Sequence, residues 1–312
     1  MSIGCYTFKI NEKPYAVWGD VDDLKSESLN FINNIDTDLF RYQMDLNLTE
    51  LKKDPNNLNA AISIRQTYYH AIETFLSLLS ASLQAANYPL GWILKYNNHE
   101  LRSLVIKINN EQNIFNFHKL KSINWQKLGN LIHRIEIQSE DDKPRIQQLI
   151  NYWKSWGLFH INQNSTIEYN SLKHGYRTKF GSTKINIDKL EIDPGKYGLN
   201  FFVAKSFANT EEFKTNFYTE FTSSHWNPFR NCYEILLISC SINNVKNFMI
   251  PILQPECKLV NYEIPKKEWF EELEKENEPE LVNLRLTKAI RDIPVSALLK
   301  KENILNSLRQ FE

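Results

Sequence analysis

Arg65-Gln66-Thr67-Tyr68-Tyr69-His70 sets a guanidinium and an imidazole five residues apart in a stretch whose neighbours are otherwise apolar or small. An imidazole titrates near pH 6.5, so it can take a hydroxyl proton and return it close to neutrality. A guanidinium can hold the negative charge that develops on a phosphate. Such a pair would support phosphoester chemistry without a metal. His70 would be the acid and base and Arg65 the phosphate holder, with Glu73, a helical turn from His70, as the third member of the catalytic set. The same residues admit a structural reading, in which Arg65 pairs with a carboxylate and His70 with Glu73 or a backbone carbonyl. Five residues turn a helix by about 140°, so Arg65 and His70 converge only if the long arginine reaches round or the helix is distorted.

A second cluster, Tyr169-Asn170-Ser171-Leu172-Lys173-His174-Gly175-Tyr176-Arg177, also has two readings. Lys173 and His174 followed by Gly175 is what a helix C-terminus prefers, since cations suit the negative end of the dipole and glycine takes the left-handed cap. Read for function, Lys173, His174 and Arg177 are three cations within two turns, a local patch able to hold phosphate. Gln66 and Tyr69 would add substrate contacts. The two clusters make one site only if this helix packs beside the first.

The elements that must position these residues follow from periodicity. Over 57–86, Leu58, Ile62, Tyr69, Ile72, Leu76, Leu79, Leu83 and Ala86 recur at helical steps, with a second apolar row through Ala61, Ile64, Tyr68, Ala71, Phe75 and Leu78. A helix covered on most of its circumference belongs at the centre of a bundle. Its polar stripe, Ser63, Gln66, His70, Thr74 and Ser77, needs partners, because each unsatisfied buried group costs about 1–3 kcal/mol. The chain therefore reads as mainly α with a small β element. We divide it into an N-terminal β-hairpin (1–23), a bundle of about six helices (24–178), a short antiparallel sheet (179–222) and C-terminal helices packing on the bundle (223–312), the last of them near 297–310. Asn227-Pro228 marks a helix start, an amide-capping side chain followed by a proline suited to the first turn.

Composition narrows the function classes. Lys+Arg and Asp+Glu both number 37, so any nucleic-acid contact must be local rather than a global basic field. The four cysteines form no C-x-x-C pair, which argues against zinc and redox motifs, and no phosphate-loop, dinucleotide, serine-hydrolase or zincin motif occurs. We expect no cofactor and no metal. Neither a signal peptide nor an apolar run of membrane length is apparent, so a cytoplasmic protein without a membrane partner is expected.

Arg-x4-His on a long bundle helix, with a polar residue after the arginine, resembles the active-site motif of HEPN domains. The likeness extends to the helical organisation of 24–178 and, in motif, to Arg65, Gln66 and His70. It implies a homodimer in which two motifs meet in a cleft, a metal-independent endoribonuclease acting on RNA, and a toxin or phage-defence setting with a neutralising protein partner or antitoxin. The alternative expectation is a non-catalytic helical interaction or ligand-sensing module.

Overall fold

The structure is a computed structural model that describes residues 3–114, 122–135, 138–174, 178–181, 185–187, 190–192, 196–206, 217–257, 261–276 and 285–286. The chain opens with strands β1 (Ile3–Ile10) and β2 (Lys13–Asp20), continues through eight helices, and then forms strands. The helices are α1 (Val21–Asn33), α2 (Asp38–Lys53), α3 (Leu58–Gln84), α4 (Pro89–Lys95), α5 (Asn98–Asn109), α6 (Trp125–His133), α7 (Lys143–Ile161) and α8 (Gln163–Lys173). After them come β3 (Thr178–Phe180), β4 (Ile185–Ile187), β5 (Leu190–Ile192), β6 (Gly198–Ser206), β7 (Phe217–His225), α9 (Pro228–Leu253), α10 (Lys267–Lys275) and β8 (Arg285–Leu286). The fold is mainly α with small antiparallel sheets: β1–β2, a four-stranded sheet in the order β3-β6-β7-β8, and β4–β5.

Local chemistry explains the boundaries. Asn11 turns the hairpin at φ 53°, a left-handed conformation that asparagine tolerates, and Pro14 lies in β2 opposite Lys9. Asn57 caps α3 by accepting from the Ala60 amide, and Asn227 caps α9 by accepting from the Phe229 and Arg230 amides just where Pro228 begins the helix. Of the 27 residues of α3, 20 are buried, which makes it the central helix that its double apolar row requires.

Its chief neighbour is α9, which packs along α3 more extensively than any other helix does. Ile235, Ile238 and Ile242 of α9 join Ile64, Phe75 and Leu79 of α3 and Trp153 and Trp156 of α7 in one core. The C-terminal region thus supplies part of the bundle's centre. By length and composition α9 could cross a bilayer, but more than half of it is buried inside the fold. The second long strand runs to His225, past the expected boundary at 222, and the described residues before it form eight helices where about six were expected. The final helix expected near 297–310 lies outside the described residues.

Close approach between helices falls on glycine. A Cβ built on Gly157 of α7 would stand 2.4 Å from the indole of Trp125 at the start of α6, and both residues are buried. Gly157→Ala is therefore expected to destabilise the protein by about 1–3 kcal/mol through overpacking, read as a lower urea midpoint. An unchanged midpoint would mean that α6 can move away freely.

Candidate functional site

Arg65 projects from α3 into the interior and is 4% exposed. Its Nε and Nη2 donate to the two carboxylate oxygens of Glu168 on α8, at 2.9 and 3.3 Å, and its Nη1 donates to Oδ1 of Asn231 on α9 at 3.3 Å. Glu168 is itself 3% exposed and accepts a further hydrogen bond of 2.6 Å from the Ser224 hydroxyl at the end of β7. Around the guanidinium stand the rings of Tyr68, Tyr69, Phe159 and Trp226, with centroids 5.1 to 5.6 Å from its central carbon. The Tyr69 hydroxyl lies against the same pair, and burial, then the Glu168 charge, push its pKa well above the usual tyrosine value. A bidentate ion pair inside an aromatic box is a complete site for a guanidinium. It ties together α3, α8, α9 and the end of the sheet.

His70 stands apart from this network, exposed on the same helix. Arg65 turns inward to the buried Glu168, whereas His70 faces the surface. The phosphate-holding role expected of Arg65 finds no open guanidinium here, because carboxylate, amide and rings already surround it.

The second cluster does meet the first, through Tyr169. Its ring stacks on Tyr69 at 4.8 Å and meets the His70 ring edge-on at 5.6 Å, while its hydroxyl donates to Glu73 at 2.8 Å. Lys173, in the last turn of α8, holds its ammonium 4.0 Å from the centroid of the Tyr169 ring and 3.6 Å from the Glu73 carboxylate. His174 is the exposed C-cap residue of α8, and Gln66 is half-buried one turn before His70. Arg177 lies outside the described residues. Of the expected set, then, His70, Glu73 and Lys173 gather at the surface around Tyr169, whose ring covers the buried Tyr69, with the exposed His174 next in sequence to Lys173.

Partial burial, and next the Lys173 charge, lower the His70 pKa, against which Glu73 acts to raise it. Lys173→Met is expected to shift the His70 pKa upward, as followed by NMR titration of its ring protons. A pKa that stays put or falls would show that the ammonium does not act on the imidazole.

Sequence reasoning missed Glu168, Arg102 and His160. Glu168 sits between Ile167 and Tyr169 as the one carboxylate in α8, but its partner lies 103 residues earlier. Arg102 of α5 donates to the carbonyls of His160 and Ile161 and to the Thr166 hydroxyl, satisfying the open end of α7. Burial drives the His160 pKa down to about 4. His160, Arg102, Glu73 and Tyr169 border a cleft of about 30 Å³, room for one water, so a nucleotide would have to lie across this surface rather than inside it. Among the described residues no three His, Cys, Asp or Glu side chains gather closely enough to hold a metal ion. No family model, curated protein or solved structure matches this chain.

Proposed function

We propose that the chain is a non-catalytic helical module of the interaction or ligand-sensing kind, in which Arg65 ties the fold together and His70 is a surface residue. The observation that carries this reading is the closure of the Arg65 site: Glu168, Asn231 and four aromatic rings enclose the guanidinium. A phosphate could reach it only by displacing a buried carboxylate, which would leave that carboxylate unpaired at a cost of several kcal/mol.

A second reading, a metal-independent endoribonuclease of HEPN type in a toxin or phage-defence system, draws support from the surface cluster. There an exposed imidazole of lowered pKa lies within the field of the Lys173 ammonium, with His174 following on the same helix end. RNA supplies its own nucleophile, the 2′-hydroxyl, so His70 would serve as base and Lys173 as phosphate holder. In that reading a homodimer would have to provide the charge stabilisation that the enclosed Arg65 withholds.

The two readings separate in one experiment: RNA ends are mapped in bacterial cells expressing wild type, His70→Ala or Lys173→Ala at equal soluble levels, with growth followed in parallel. We expect the same ends and the same growth for all three. New ends and growth arrest that disappear with His70→Ala would overturn the module reading and establish the ribonuclease.

A further inference from the structure

Helix α2 is apolar on two opposite sides. Met44 and Leu51 are buried in the core, with Phe40 and Leu48 packed beside them, where α2 lies against α3 and α9. On the other side Leu39, Tyr42 and Leu46 are 48%, 66% and 53% exposed. Single apolar side chains at a surface need no explanation, but three at steps of three and four along one helix make a continuous stripe. Thr49 and Lys53, both exposed, continue it. Leu39, Tyr42, Leu46, Thr49 and Lys53 thus have the spacing of a coiled-coil seam, with Met44 and Leu51 on the opposite side of the helix. The seam belongs to α2 and contains neither Arg65 nor His70.

The charges beside the seam select what fits it. Along one border stand Asp38, Asp45 and Lys52, all exposed and each a heptad from the next. When two copies of α2 run antiparallel, this border meets itself with its ends exchanged, so Asp38 of each copy lies against Lys52 of the other. Tyr42 then packs on Leu46 of the second copy, and Leu39 on its Thr49. Asp45 meets its own copy near the centre, but it points about a quarter turn away from the seam, into water that screens the repulsion. A parallel pair would instead set Asp45 against Glu50 twice and Lys53 against Lys53.

We infer that α2 is a self-association surface, joining two copies of this chain about a two-fold axis with their α2 helices antiparallel. The contact is one helix of 16 residues, about 24 Å long, and buries less than the roughly 1,200–2,000 Å² of stable complexes, so the pairing is weak, with a Kd of about 10 µM. The inference deepens the interaction reading by naming a partner, and it rests on that reading for its biological meaning. Association is measured without RNA, so its failure leaves the RNA-end result untouched, and the reverse also holds.

Sedimentation velocity on the full chain, from about 1 to about 200 µM, tests it. The expected result is a reversible monomer–dimer equilibrium that Tyr42→Ser with Leu46→Ser abolishes; both side chains are exposed, so the variant keeps its fold, as circular dichroism checks. Asp38→Lys and Lys52→Glu, each alone, turn attraction into repulsion at both ends of the seam and should weaken association about tenfold. An equimolar mixture of these two variants should associate as the wild type does, because lysine and carboxylate again face each other at both ends. The proposal is overturned if the wild type stays monomeric throughout, if the double serine variant or either charge variant dimerises as the wild type does, or if mixing the charge variants restores nothing.

Discussion

Arg65→Ala is expected to destabilise the protein by about 3–5 kcal/mol, because it leaves the Glu168 carboxylate buried and unpaired. Globular domains have only about 5–15 kcal/mol in total, so much of the variant should be recovered as insoluble material and the remainder should unfold at a lower urea midpoint. Arg65→Lys should fall between the two. A lysine offers one ammonium where the guanidinium makes two parallel bonds to Glu168 and a third to Asn231, and it loses the planar contact with the surrounding rings. Replacing both partners, Arg65→Met with Glu168→Leu, should recover only part of the loss: the apolar side chains need no counter-charge, but the buried Asn231 and Ser224 lose their partners. If Arg65→Ala shifts stability by less than about 1 kcal/mol, the arginine does not support the fold and a chemical role returns to consideration. The expected result also bears on function: activity lost in an Arg65 variant would report unfolding, whereas His70→Ala reads chemistry at an exposed side chain.

The second large effect is on acid stability and comes from His133. This residue of α6 is 0% exposed, its Nδ1 bonds the Gly129 carbonyl at 2.8 Å, its ring lies 5.2 Å from that of Trp153, and its Nε2 has no hydrogen-bond partner. Burial drives its pKa down to about 4. Above pH 6.5 neither the folded nor the unfolded chain protonates this ring, and stability is unaffected. As pH falls from about 6.5 toward 4 the unfolded chain binds a proton that the fold refuses, and stability declines by about 3 kcal/mol before levelling off. His160, whose pKa burial likewise lowers to about 4, acts in the same direction. Urea melts at pH 7 and pH 4 on wild type and His133→Phe check the size of the effect. The phenylalanine keeps an aromatic ring beside Trp153 and cannot titrate, so the wild type should lose about 3 kcal/mol more than the variant over that interval. A difference below about 1 kcal/mol would mean that water reaches the ring.

Much of the fold could be read from local patterns, because local patterns are what create it. The double apolar row of 57–86 becomes α3, Asn227 caps the helix that follows it, and the hairpin expected at the start becomes β1–β2. Periodicity and capping depend on residues a few positions apart, and a sequence displays such residues side by side. The surface cluster was half readable. Lys173 belongs at a helix C-terminus and Glu73 lies a turn from His70, but that Tyr169 joins them depends on how α8 crosses α3.

The position of α9 illustrates the limit. Its apolar character is evident from Ile235 to Ile242, whereas its place along α3 at the centre of the bundle depends on complementary packing between segments far apart in the chain.

By itself, then, the sequence determined that this protein is mainly helical, where its long helices begin, and which side chains could do chemistry. Only the tertiary structure decided which of them are free to do it. Arg65 and His70 share a helix and differ by five positions, but the fold places Glu168, from 103 residues away, against one and leaves the other at the surface. The physical reason is that a buried guanidinium must find a carboxylate and hydrogen-bond acceptors before the core can close. Which carboxylate arrives is set by the packing of whole helices, which no short spacing encodes.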